Sequence, residues 1–142
     1  MKTIFSVALA LLLLAACSPG PEAEVHSVII YSEAPELTLN LGERWQTDDY
    51  TDLGIRIIQE TAWQHDGRTL DTYNTLGRNL EEVIMQVFKN TTMKGESNDM
   101  LHVFLMPVAQ DVKMLERKDL EEARAAYERI CLRLTLYEHY FK

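Results

Sequence analysis

Two cysteines and four histidines are the side chains of this 142-residue chain best suited to nucleophilic or metal chemistry. Their spacing limits what they can do. His26, His65, His102 and His139 stand far apart, and neither H-E-x-x-H nor C-x-x-C occurs, so no local zinc site is expected. Glu138 and His139 are adjacent and would point apart on a helix. No G-x-S-x-G elbow is present, and Ser18, Ser27, Ser32 and Ser97 have no activating setting in the sequence. A phosphate-cradling glycine loop is also missing, so the expectation is no cofactor and no metal. The fragment with most chemical content is Trp63-Gln64-His65-Asp66-Gly67, which combines an aromatic, an imidazole and a carboxylate at a turn and could belong to a small hydrolase around His65 and Asp66. The competing and preferred account is structural, with Trp63 in the core and His65-Asp66-Gly67 forming a turn. Asp48-Asp49, Glu81-Glu82 and Glu121-Glu122 are paired carboxylates, but the last two pairs fall on expected first turns of helices, where acids offset the macrodipole.

Cys17 is different, because what precedes it gives it a role. Lys2 supplies a positive start, Ile4 to Ala16 an apolar run of thirteen residues, and Ala15-Ala16 two small residues before the thiol. That is the pattern of a secretory signal. The run falls short of the about 20 residues a membrane span needs. Leu14-Ala15-Ala16-Cys17 resembles the lipobox of bacterial lipoproteins. The resemblance implies cleavage before Cys17, a diacylglyceryl thioether on its sulfur and an acyl group on the new amino terminus. More than one acyl chain anchors a protein stably, since each buried methylene contributes about 0.8 kcal/mol. Ser18 stands where an aspartate would resemble an inner-membrane retention signal, so the resemblance implies the periplasmic face of the outer membrane.

Cleavage at that point removes 16 of the 142 residues and one of the 14 basic side chains, leaving 13 against 22 acidic ones, a net of −9. Such a surface repels phosphodiester backbones, so no nucleic-acid partner is expected. A lipidated Cys17 also leaves Cys131 without a disulfide partner. Flanked by Ile130 and Leu132, Cys131 reads as a small buried hydrophobe.

The elements that would position these groups follow from periodicity. Residues 1–16 are the signal, 17–24 the lipidated cysteine with a Pro/Gly tether, and 25–142 one domain. Val28 to Tyr31 reads as a covered strand, and Leu37, Leu39 and Leu41 alternate as a half-buried one ended by Gly42. From Leu53 to Trp63 three isoleucines favour a strand with Leu53, Ile55 and Ile57 on one face, whereas a helix would align Tyr50, Leu53 and Ile57. Leu80 to Lys89 is helical, with Asn79 and Glu82 resembling a capping box and Leu70 to Leu76 a separate turn beyond Gly77. Asn90 to Asp99 reads as loop, and Leu101 to Met106 as a central strand stopped by Pro107. Leu120, Ala123, Tyr127, Ile130, Leu134, Tyr137 and Phe141 form the stripe of a C-terminal helix capped by Asp119. The expected fold is therefore α+β: a small, mostly antiparallel sheet with about two helices on one face, ordered strand-strand-strand-helix-strand-helix. A homodimer through the C-terminal stripe is the less favoured alternative to packing that stripe on the core.

Lacking a catalytic motif, the chain is expected to be a membrane-anchored periplasmic lipoprotein that serves as a non-enzymatic, protein-binding accessory of an envelope or secretion assembly. Two alternatives remain: an immunity or inhibitor protein against a basic toxin or wall hydrolase, and the small hydrolase with His65 and Asp66. Trp45 and Tyr50 flank the polar segment Gln46 to Asp49 and are the candidate partner contacts. The competing account folds Trp45 back over the sheet.

Overall fold

Helical spacing, rather than alternation, organises the buried side chains. A computed structural model describes residues 36–142. It contains α1 (Asp49–Trp63), α2 (Leu70–Asn90), α3 (Glu96–Leu115), α4 (Leu120–Leu134) and a single turn, α5 (Tyr137–Tyr140). No β-strand occurs among the described residues, so the expected α+β sheet gives way to a helical bundle. The expected strand at Val28 to Tyr31 lies outside the described residues.

Each departure from the expected elements has a local cause. In α1 the core takes Thr51, Ile55, Ile58 and Ala62, steps of three and four that alternation cannot produce. The β-branched isoleucines lower helix propensity only slightly, and burial outweighs that. Asp48 starts the helix by accepting the Thr51 N–H at 2.7 Å. Leu37 and Leu39 are half-buried without regular pairing, and Leu41 is exposed at positive φ in a tight turn between Asn40 and Glu43.

Helix α2 runs unbroken through Gly77. The close approach of α3 explains the glycine: a Cβ there would press on Leu115 Cβ at 3.2 Å and the Val112 carbonyl at 3.3 Å. Its capping box is formed by Thr69 and Thr72 and not by Asn79 and Glu82. Consequently Glu81 and Glu82 lie in mid-helix, not in a first turn.

Helix α3 replaces the expected loop and strand, with Pro107 inside it. Leu101, Phe104, Leu105, Val108, Val112 and Leu115 face the core. Pro107 has no N–H to donate to Val103, four residues earlier. Arg133 of α4 donates to that carbonyl instead, Nη2 to O at 2.7 Å, and through Nε to the Phe104 carbonyl at 3.3 Å.

The C-terminal helix begins as expected, with Asp119 accepting the Glu122 N–H at 2.9 Å. It breaks at Thr135 and Leu136 before the short α5, yet Ala123, Ile130, Leu134, Tyr137 and Phe141 all remain buried. Those five residues are spent on the chain's own core, while Leu120 and Tyr127 of the same stripe are partly exposed.

Contacts between helices give the register. Thr51 of α1 meets Thr91 just past α2. Arg129 of α4 binds Asp111 of α3 at 2.6 Å. Gln59 of α1 donates to the Leu134 carbonyl at 3.0 Å, and Tyr127 to the Ala62 carbonyl at 3.1 Å. Every neighbouring pair is thus antiparallel, which makes an up-down-up-down four-helix bundle with short loops. At one end Trp45 lies beside Phe141 in a single parallel bridge, its N–H donating to the Tyr140 carbonyl at 2.7 Å and its carbonyl accepting the Lys142 N–H at 2.8 Å, which closes the chain's two described ends against each other.

Candidate functional site

The His65 fragment sits where α1 ends and α2 begins. Its imidazole packs among Tyr73 and Tyr127, with ring centroids 5.2 and 5.4 Å away, and the two tyrosines are 5.7 Å apart. His65 Nε2 and the Tyr73 hydroxyl are buried without a protein hydrogen-bond partner. Burial raises the Tyr127 hydroxyl to about 12, reinforced by the neighbouring Cys131 thiol. Burial also pushes the Cys131 thiol up, which keeps it protonated and poorly nucleophilic. Cys131 is half-buried at the edge of the core.

Beside this cluster a cleft of about 450 Å³ is lined by Gln64, His65, Asp66, Thr72, Thr75 and Asn79, among others. Asp66 is exposed and no hydrogen bond joins it to His65. The Thr72 hydroxyl is occupied in the α2 cap. Ser97 donates to the Lys94 carbonyl near the start of α3, outside the cleft. The arrangement therefore provides an imidazole without an orienting acid or an adjacent nucleophile. Trp63 does not pack in the core as expected; it is 51% exposed at the end of α1.

The other histidines are separated. His102 stacks on Phe88, and His139 lies edge-on to Tyr140. Among the described residues no three His, Cys, Asp or Glu side chains are grouped to hold a metal ion, and no helix is long and apolar enough to cross a membrane. Cys17 lies outside the described residues.

The two candidate contact residues have different surroundings. Trp45 is 7% exposed, and its indole N–H donates to the Thr38 carbonyl at 2.6 Å, so it presents little surface. Tyr50 stands on the first turn of α1, partly exposed, with its hydroxyl accepting from Asn90 of α2 at 3.1 Å. It opens a groove of about 280 Å³ between α1 and α2, with Leu53, Ile57, Glu82, Val83 and Gln86 along its sides. Gly54 forms the floor: a side chain there would collide with Val87, so its absence lets the two helices approach.

Sequence reasoning missed Leu53 and Ile57 as surface residues because the strand reading put them with Ile55. The signal was present in the helical alternative, which aligns Tyr50, Leu53 and Ile57 in one stripe. That stripe exists but faces outward, while Ile55 and Ile58 supply the core. Tyr73 and Tyr127 were legible only as helix positions, and nothing in their spacing placed them around His65.

Comparison with protein-family models, with curated proteins and with solved structures finds no match for this chain.

Proposed function

We propose that this protein is a lipid-anchored accessory factor of the bacterial cell envelope whose helical bundle binds another protein. The observation that carries the binding role is the outward face of α1, where Leu53 and Ile57 are 58% and 41% exposed on a helix already buried along its opposite side. A helix with one buried and one exposed apolar stripe has more apolar surface than its own core uses. The anchor rests on Leu14-Ala15-Ala16-Cys17 and on the short apolar run before it. Ser18 after the cysteine favours the outer membrane.

The acidic balance of the chain, net −8, supports a second reading in which the partner is a basic toxin or wall hydrolase held inactive. Both readings use the same face and the same anchor.

Metabolic labelling with palmitate tests the anchor. The wild-type chain takes up label and fractionates with membranes, and Cys17→Ser does neither. A wild-type chain that takes up no label overturns the anchored reading.

A further inference from the structure

We infer that the groove between α1 and α2 receives an amphipathic helix of a partner protein, with lysine or arginine flanking its apolar stripe. The inference rests on the reading of the bundle as a protein-binding module and specifies the chemistry of what it binds.

Length is the first argument. From Tyr50 to Ile57 the groove follows two turns of α1, about 10 Å of helix. That matches side chains at positions i, i+4 and i+7 of a docking helix, the usual anchors for a helix laid in a groove. Leu53 and Ile57 form one apolar wall and Val83 contributes to the other. At about 280 Å³ and open along one side, the groove lies at the small end for enclosing a drug-sized molecule.

Charge chooses the kind of helix. Glu82 is the charged residue in the lining, and Glu60 lies one turn beyond Ile57 on α1. Arg56, the cation of α1, is engaged by Asp52 at 2.8 Å and Glu138 at 3.5 Å and does not answer Glu82. A second copy of this chain would bring two net charges of −8 together. A cationic helix is attracted by the same field, and a lysine or arginine beside its apolar stripe meets Glu82 at the edge of the contact.

The test uses the full chain bearing Cys17→Ser, labelled on isoleucine δ1 and methionine methyl groups. Two synthetic helices of about 18 residues, long enough to span the groove, share one leucine stripe but carry either lysine or glutamate flanks. The lysine-flanked helix binds and moves the Ile57 methyl resonance, while Met106, on α3 and away from the groove, stays in place. Glu82→Lys weakens that binding about three- to fivefold and improves binding of the glutamate-flanked helix. Leu53→Asp, at an exposed position, abolishes binding without unfolding the chain. Equal binding of the two helices, or binding that leaves Ile57 unmoved, overturns the inference. So does sedimentation of the chain alone as a dimer that Leu53→Asp dissociates. If neither helix binds while a photo-crosslinker at Leu53 still captures a discrete partner in cells, the cationic-helix inference fails and the protein-binding reading stands. If both fail, the protein-binding reading falls with it.

Discussion

The guanidinium of Arg133 donates to the carbonyl of Val103 at 2.7 Å, the acceptor that Pro107 cannot serve. A proline in a helix interior costs about 3 kcal/mol or more, partly through that orphaned carbonyl. A cation from the neighbouring helix recovers part of the loss and ties α3 to α4. Arg133→Met should therefore destabilise the bundle by about 1–3 kcal/mol. In a Pro107→Ala background, where residue 107 can donate to Val103, the same substitution should cost about 1 kcal/mol less. Thermal or urea melting of the four variants in a double-mutant cycle measures the difference. An identical cost in both backgrounds would show that Arg133 does not compensate for the proline.

The C-terminal stripe gives a sharper contrast between two neighbouring positions. Ile130 is fully buried and Glu128 is exposed on the same helix. Ile130→Asp should cost several kcal/mol, because an unpaired charge enters the core. Glu128→Ala should change stability by less than about 0.5 kcal/mol. Similar melting temperatures for the two variants would mean the stripe is misplaced.

Acid should loosen the end of the bundle where α1 begins. Asp48 accepts the Thr51 N–H through Oδ1, and through Oδ2 the Thr92 N–H at 2.7 Å and the Thr91 hydroxyl at 3.1 Å. Partial burial works to raise its pKa, but these hydrogen bonds outweigh burial and hold the carboxyl at about 2, below its ordinary 3.8. A carboxyl depressed in the folded state contributes its stability in full above the unfolded pKa. That contribution is lost as pH falls through the folded one. The window is therefore from about pH 4 down to about pH 2, and the contribution after solvent screening is about 1–2 kcal/mol. Asp48→Asn should flatten the acid limb of the stability curve in that window and leave its shape near neutrality unchanged. An acid limb identical to wild type would show that Asp48 titrates alike in both states.

How legible the fold was depended on how far each apolar pattern excluded its alternative. The stripe from Leu120 to Phe141 has no period-two reading, and it placed Ala123, Ile130 and Leu134 of α4 in the core even though the helix breaks at Thr135. It missed the buried Ala126, and its Leu120 and Tyr127 are only partly buried. Leu101 to Met106 is apolar on both faces apart from His102, which periodicity alone cannot divide between strand and buried helix. Pro107 tipped that choice toward a strand end, and the residue that makes proline tolerable, Arg133, is 26 positions further on. In α1 three isoleucines spoke for a strand, while the deciding steps from Thr51 to Ala62 ran through residues of mixed polarity. The His65 turn could be located from its residues. Its tyrosine surroundings could not, because they come from α2 and α4 and meet only when the bundle closes.

The measurement that bears most directly on the whole account is photo-crosslinking in intact cells, with the reactive side chain placed at Leu53 in one strain and at Glu128 in another. Both positions are exposed, on α1 and α4 respectively. With Cys17 intact, the account predicts a discrete membrane-associated adduct from position 53, none from position 128, and loss of the adduct when Ile57→Asp is added. Adducts from position 128 alone, or none from position 53 with the chain folded and anchored, would contradict it.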